Sequence, residues 1–376
     1  MQPIRQNFSV TFSYPVLFTE NVFDVHNSQL RDVVVSDKRP ARRKIIFFID
    51  SEVQKRFPKL GNAIISYCKK NKDVFELCTP PEILLGGEQS KKDRKVFFHI
   101  ITLVEKFGIC RHSYIVAVGA LIDAVGFAAA VAHRGIRLIR IPTTVLSQND
   151  AGIGVKNGIN YLGKKNFLGT FSPPFAVIND SSFLASLTDR DWRAGIAEAL
   201  KVGLVKDADF FYAIQSLREL LLQRDKYAMN QLIYRCAEIH IRHTAGKDPF
   251  EAGTSRPLDF GHWSAHKLEQ MAQFKIRHGE AVASGIALDS TYSYLNGMLE
   301  EKEWKKIISV LKNFGFKIYN KEFADSELLR GLDEFREHLG GILTVMLLKN
   351  IGTGIEVHAI DTRVVKKSIA VLRNEN

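Results

Sequence analysis

The chain reads as an α/β nucleotide-binding domain over residues 1–180 followed by a helical domain over residues 181–376. Three observations predict this. Short β-rich runs alternate with amphipathic helical stretches in the first half, the periodicity turns helical from Phe183 onward, and the helical half carries a histidine pair at i, i+4 spacing. A length of 376 residues with 45% hydrophobic and 25% charged content is sufficient to bury two cores.

In chain order, Phe8 to Phe18 reads as an extended arm, with Val10, Phe12 and Tyr14 alternating with smaller polar residues, and Asn27 to Arg43 as a polar connector. Lys44 to Asp50 (KIIFFID) has the pattern of a strand buried on both faces and ending in an acid, followed by a helix over Glu52 to Lys70. A strand over Val74 to Cys78 leads into the turn Gly86-Gly87-Glu88 and a helix over Lys91 to Phe107. Then come a strand over Tyr114 to Val118, a helix over Leu121 to His133 and a strand over Ile136 to Ile141. The second half predicts helices over Asp189 to Val205, Ala208 to Leu222, Tyr227 to His243, His262 to Phe274 and His278 to Asn296, with more to the C-terminus. A cleft between the halves is the expected ligand site.

Composition excludes several classes. No apolar run reaches the ~18 residues of a membrane span, and Met1 to Val10 lacks the basic-then-apolar layout of a secretory signal, so a soluble cytoplasmic protein is expected. Cys68, Cys78, Cys110 and Cys236 lie far apart without CxxC spacing, which predicts free thiols. The net charge of +11 comes from scattered Lys and Arg without a nucleic-acid module, and suits small anionic substrates rather than nucleic acid.

His262 and His266 stand at i and i+4 in FGHWSAHKLE, so a helix projects both from one face. His278 opens the next helix in RHGEAVASG, and Glu198 lies in AGIAEALKVG. A carboxylate with two or three imidazoles that converge makes a zinc-type site with an open position for an alcohol or carbonyl oxygen, although a histidine pair at this spacing is by itself more often a surface or satisfied core pair than a ligand pair. The segments GGEQSK (86–91), HRGIRLIRIPTTVLSQNDAGIGVKNGIN (133–160), GKKNFLGTFSPP (163–174), AGIAEALKVG (194–203), FGHWSAHKLE (260–269) and RHGEAVASGI (277–286) together resemble the signature segments of 3-dehydroquinate synthases. They occur in that family's order and spacing.

The resemblance implies a Rossmann-like N-terminal domain binding NAD, an all-α metal-binding domain, and a homodimer acting on a sugar phosphate. It assigns zinc or cobalt to Glu198, His262 and His278, and an acid–base role on the phosphate side to His266. Substrate phosphate falls to Lys156, Lys165, Asn166 and Lys201, and Asp150 matches an acid near the reacting carbons. Arg134 matches an arginine that reaches a neighbouring subunit's site. On the cofactor side the matches are Asp50, Glu88, Lys91, Gly119, Asp123, Thr143, Thr144 and Phe183, with Lys165 close to them; Asp50 is read alternatively as a helix N-cap. The implied reaction oxidises a ring hydroxyl transiently with NAD, eliminates phosphate, reduces the ketone again and closes the ring by an aldol step.

Two regions depart from the family pattern. AVGALIDAVG (117–126) is two glycines short of the usual turn, leaving Gly119 to make it. In SRPLDFGH, Arg256 is displaced by one place from the carboxylate-gripping arginine and Asp259 replaces an asparagine, while FREHLGG lacks the C-terminal phosphate lysine and offers Arg336 or His338 instead. Related cyclases acting on sedoheptulose 7-phosphate depart at the same carboxylate-gripping positions, so the expected substrate need not carry a carboxylate. A polyol dehydrogenase of the same broad fold and a non-catalytic binding protein are the competing readings.

Overall fold

The computed structural model describes residues 3–38, 42–162, 164–246, 248–250, 257–338 and 340–375. The chain divides into two compact units, one of residues 1–143 and 155–182 and the other of residues 144–154 and 183–376. The segment 144–154 therefore groups with the helical unit.

The first unit is built on a parallel sheet of seven strands: β1 (Val16–Thr19), β2 (Arg43–Asp50), β3 (Phe75–Leu77), β4 (Glu82–Leu84), β5 (Tyr114–Val118), β6 (Arg137–Ile141) and a later strand, Ala176–Asp180. Between β6 and that strand lies an antiparallel hairpin of β7 (Lys156–Tyr161) and β8 (Lys164–Phe171), which makes Ala176–Asp180 β9. The sheet order is β1-β9-β6-β5-β2, with β3 and β4 sharing the outer edge of β2 along its length. All five side chains from Ile45 to Ile49 and the whole of β5 are fully buried, as central strands of a sheet covered on both faces require. The helix Arg94–Lys106 packs against the sheet through Val96, Ile100, Leu103 and Val104, one face at helical spacing.

Element boundaries differ from expectation where local chemistry intervenes. The helix expected over Glu52 to Lys70 is two helices, Ser51–Arg56 and Leu60–Lys70, because Pro58 disfavours helical geometry at Phe57 and donates no N–H. Asp93 caps a new helix at Lys95 N–H, separating Gly87–Lys92 from Arg94–Lys106. The connector 27–43 contains a helix, Gln29–Val35, that buries Leu30, Val33 and Val34. All four cysteines are free.

The second unit is helical around one core, with helix His278–Leu295 buried on nearly every face. It is not all-α: β10 (Val345–Asn350) and β11 (Thr353–Val357) form an antiparallel hairpin, turned at Gly352 with φ +89. Short apolar runs such as VMLL fit strand and helix alike, and length alone does not separate them. No helix among the described residues is long and apolar enough to cross a membrane.

Candidate active site

Three helices of the second unit converge through glycines. A Cβ on Gly279 would stand 2.3 Å from the Ala194 carbonyl oxygen, and one on Gly285 would stand 2.0 Å from that of Gly261. Helix His278–Leu295 thus meets Asp189–Lys206 and His262–Met271 at backbone contact. Gly261 itself has φ +77, a left-handed turn that glycine adopts freely. The buried Asp289 carboxylate fixes this turn, accepting the Gly261 N–H at 3.0 Å and the Trp263 Nε1–H at 2.9 Å. Burial pushes Asp289 up to about 7.

This packing brings Glu198, His262 and His278 together with donor atoms all within 4.8 Å of one another. Glu198 Oε1 lies 3.1 Å from His278 Nε2 and 3.9 Å from His262 Nε2. Two ligands on one tetrahedral zinc at ordinary bond lengths stand about 3.4 Å apart, so the two spacings bracket the requirement. The outer nitrogens are already engaged. His262 Nδ1 lies 3.1 Å from the Phe260 carbonyl and His278 Nδ1 3.1 Å from Glu269 Oε2. Both partners only accept, so each Nδ1 carries a proton and Nε2 is the atom each ring offers a metal, His278 once it has shed its second proton. Glu198 is fully buried and its oxygens accept no directed hydrogen bond, which fits a ligand to a cation. His266, placed by sequence as an acid–base group, has its ring centroid 5.3 Å from that of His262 and 5.8 Å from that of His278.

Electrostatics organise the surroundings. Lys201, 2% exposed, sits 2.5 Å from Glu198 Oε2 and 3.9 Å from Asp150 Oδ2. Burial alone would raise Glu198, but Lys201 reverses this and holds it down to about 2. Burial opposes the Lys201 ammonium, and Asp150 and Glu198 together raise it nonetheless. Burial likewise opposes the His278 imidazolium, and Glu198 and Glu269 outweigh it, holding His278 up to about 9. His262 is lowered, first by burial and then by Lys201. Asp150, presented by the π-helical turn Ser147–Ala151, is held well below the usual carboxylate range against its burial by Lys201 and His240. Asp259 acts electrostatically on both Lys201 and His262.

In the first unit the cofactor-side residues gather at the carboxyl ends of the strands, where ligands of such sheets bind. Asp50 ends β2 and caps the next helix, accepting Glu52 N–H at 2.9 Å and Ala120 N–H at 3.1 Å. Burial pushes its carboxyl up against these two donors. Gly119 has φ +111, and a Cβ there would stand 2.4 Å from Asp50 Cβ. The turn after β5 demands glycine at this one position: neither Ala120 nor Leu121 has positive φ, and Leu121 is buried in the core. Lys91 Nζ lies 2.5 Å from Asp123 Oδ2 and 3.1 Å from Asn166 Oδ1, while Lys165 Nζ lies 3.7 Å from Glu88 Oε1. Glu88, Lys91, Asp123, Lys165 and Asn166 thus form one polar cluster linking two helices to the β7–β8 hairpin.

The remaining predicted residues are placed separately. Thr143 and Phe183 are buried, and Thr144 Oγ1 donates to Ser147 Oγ at 2.8 Å. Lys156 is exposed at the start of β7, its carbonyl accepting from the buried Arg140 at 3.2 Å. Arg134 is exposed, with φ +63 beside His133 at φ +51, a rare left-handed pair of non-glycine residues. Arg336 Nη2 donates to Asp333 Oδ1 at 2.6 Å and is not drawn to the histidine cluster by any described contact. Arg256 lies outside the described residues. Sequence reasoning did not single out Glu269, His240 or Asp289; Glu269, three residues after His266 on the same helix, carried the one available signal.

The family model for the 3-dehydroquinate synthase N-terminal domain matches residues 82–194, and that for the C-terminal domain matches residues 195–334. A 2-epi-5-epi-valiolone synthase of Streptomyces hygroscopicus subsp. jinggangensis is 30% identical over 370 residues, covering 96% of this chain and 87% of that protein. A 3-dehydroquinate synthase of Nitrosospira multiformis is 36% identical over 303 residues, 80% of this chain and 82% of that one. The solved structure of the Streptomyces enzyme, with NAD+ and Zn2+ bound, aligns at a TM-score of 0.87 and 28% identity over 99% of this chain and all of that one. The order of signature segments, the converging ligands and these likenesses have one explanation: the chain belongs to the 3-dehydroquinate synthase superfamily of sugar-phosphate cyclases.

Proposed function

We propose that this enzyme cyclises a heptulose phosphate lacking a carboxylate, of the sedoheptulose 7-phosphate kind, with NAD and a zinc or cobalt ion as cofactors. The observation that carries the substrate choice is Asp259. It stands where carboxylate-binding members of the family have asparagine, and its charge reaches Lys201 and His262. A second anion there repels a substrate carboxylate and accepts hydrogen bonds from a hydroxyl instead.

The ion held by Glu198, His262 and His278 supplies Lewis acidity to a bound hydroxyl or carbonyl oxygen, and NAD supplies a reversible hydride acceptor. The chain's own residues do the remainder. Lys201, kept cationic by Asp150 and Glu198, presents a fixed positive charge to developing oxyanion charge. Asp150, kept anionic, takes the proton made acidic by the transient ketone, and His266 holds or yields a proton on the phosphate side. Lys156, Lys165 and Asn166 bind phosphate oxygens, with Glu88, Lys91 and Asp123 orienting the nucleotide's ribose and Asp50 holding the turn beneath it. Arg134 serves a second copy in a homodimer.

Phosphate release tests the substrate. Purified enzyme with catalytic NAD releases phosphate from sedoheptulose 7-phosphate and not from the carboxylated heptulosonate phosphate; turnover of the carboxylated sugar alone rejects the proposal. Asp259→Asn narrows the preference between the two sugars by about tenfold or more, corresponding to ~1.4 kcal/mol.

A further inference from the structure

We infer that His240 is a positioning residue of the active site, holding the Asp150 carboxylate at Oδ1 while Lys201 faces Oδ2. The inference rests on the proposed role of Asp150 at the reacting carbons. His240 stands on helix Lys226–Thr244. Its buried Nδ1 lies 2.9 Å from Asp150 Oδ1. A carboxylate oxygen only accepts, so the Nδ1 proton of the imidazole is directed at Asp150. The ring sits against the turn that presents Asp150: a Cβ on Gly154 would stand 3.6 Å from His240 Nε2. One helical turn earlier, Cys236 is fully buried and also feels Asp150 and Lys201, so this face of the helix addresses the site.

The four side chains run His240, Asp150, Lys201, Glu198, alternating between cation-capable and anionic groups at 2.9, 3.9 and 2.5 Å. Asp150 sits on a short π-helical turn, an irregularity frequent at functional sites. With His240 and Lys201 on separate oxygens, the carboxylate plane has one orientation. Misplacement of a reacting group by about 1 Å costs on the order of 100-fold in rate.

Two variants of the zinc- and NAD-loaded enzyme test this. His240→Ala lowers kcat for phosphate release by about 100-fold with KM changed less than about threefold, and His240→Asn, whose amide nitrogen occupies the Nδ1 position, recovers at least about tenfold of that loss. Equal losses in both variants, or a His240→Ala enzyme within about twofold of the parent, overturn the inference. A second measurement needs no turnover. Nitrogen-15 histidine NMR of the full chain finds a proton on His240 Nδ1 and a resonance that moves in Asp150→Asn. A bare Nδ1, or a resonance indifferent to that substitution, overturns the inference independently of whether the cyclase substrate is correctly assigned.

Discussion

Glu198 shows how a single buried carboxylate acquires its chemistry from its neighbours. With zero exposure it would ordinarily protonate, yet a lysine at 2.5 Å keeps it anionic, and it faces the Nε2 atoms of two imidazoles. Glu198→Gln keeps the shape and removes the charge, so zinc affinity in a chelator competition falls by about 10- to 100-fold; a variant retaining parental affinity contradicts the assignment. The pH dependence follows from His278. In the metal-free chain its pKa is raised from 6.5 to about 9, so the proton stays on until pH rises through 9 and zinc must displace it. Zinc affinity therefore climbs with pH up to about 9 and levels beyond it, and each ion bound below that pH releases a proton into the buffer. The sign for stability is the reverse. The His278 contribution to the metal-free fold is complete below pH 6.5 and gone above about 9. Calorimetry of zinc binding in buffers of different protonation heat measures the first, and thermal melting of chelated protein the second.

At the scale of elements, the ligands meet because helices touch through glycine. The neighbours of a Gly279 Cβ are Ala194 backbone atoms at 2.3 to 2.7 Å, and backbone does not move aside as a side chain does. Gly279→Ala parts helices Asp189–Lys206 and His278–Leu295, destabilising the protein by about 1–3 kcal/mol and weakening zinc binding; an unchanged melting temperature with parental zinc affinity refutes this. In the first unit, Gly119→Ala meets both a left-handed φ and the Asp50 Cβ at 2.4 Å. Its expected result is loss of NAD binding by calorimetry, with a lower melting temperature.

For the whole molecule, charge and assembly matter. A net charge of +11 draws anionic sugar phosphates, so kcat/KM falls with added salt while kcat changes little. If Arg134 completes a second subunit's site, then mixing Arg134→Ala chains with Glu198→Gln chains, each inactive alone, regenerates about a quarter of parental activity in the mixture as a whole, as statistical pairing dictates for one intact site in half the dimers. Absence of complementation places Arg134 in its own subunit's site or outside catalysis.

Periodic burial and close-packed motifs were readable along the chain. The buried strand KIIFFID, the i, i+4 histidines and the ordered signature segments depend on local spacing, and spacing survives in a linear sequence. The two-helix break at Pro58 was legible too, although the longer helical pattern around it masked it. The hairpin of β10 and β11 and the short helix Gln29–Val35 were not, because runs so brief satisfy either period and only burial against a neighbour selects one. The same limit hid His240, Glu269 and Asp289. Each acts through a partner at least nine residues away in sequence, on a separate element or turn: His240 on Asp150, Glu269 on His278, Asp289 on Gly261. Sequence alone supplied the family, the candidate ligand residues and the order of the central strands and long helices. Tertiary structure decided which atoms of those ligands are free and which way each carboxylate points, because hydrogen bonds and ion pairs between distant residues form only once packing has brought them to contact.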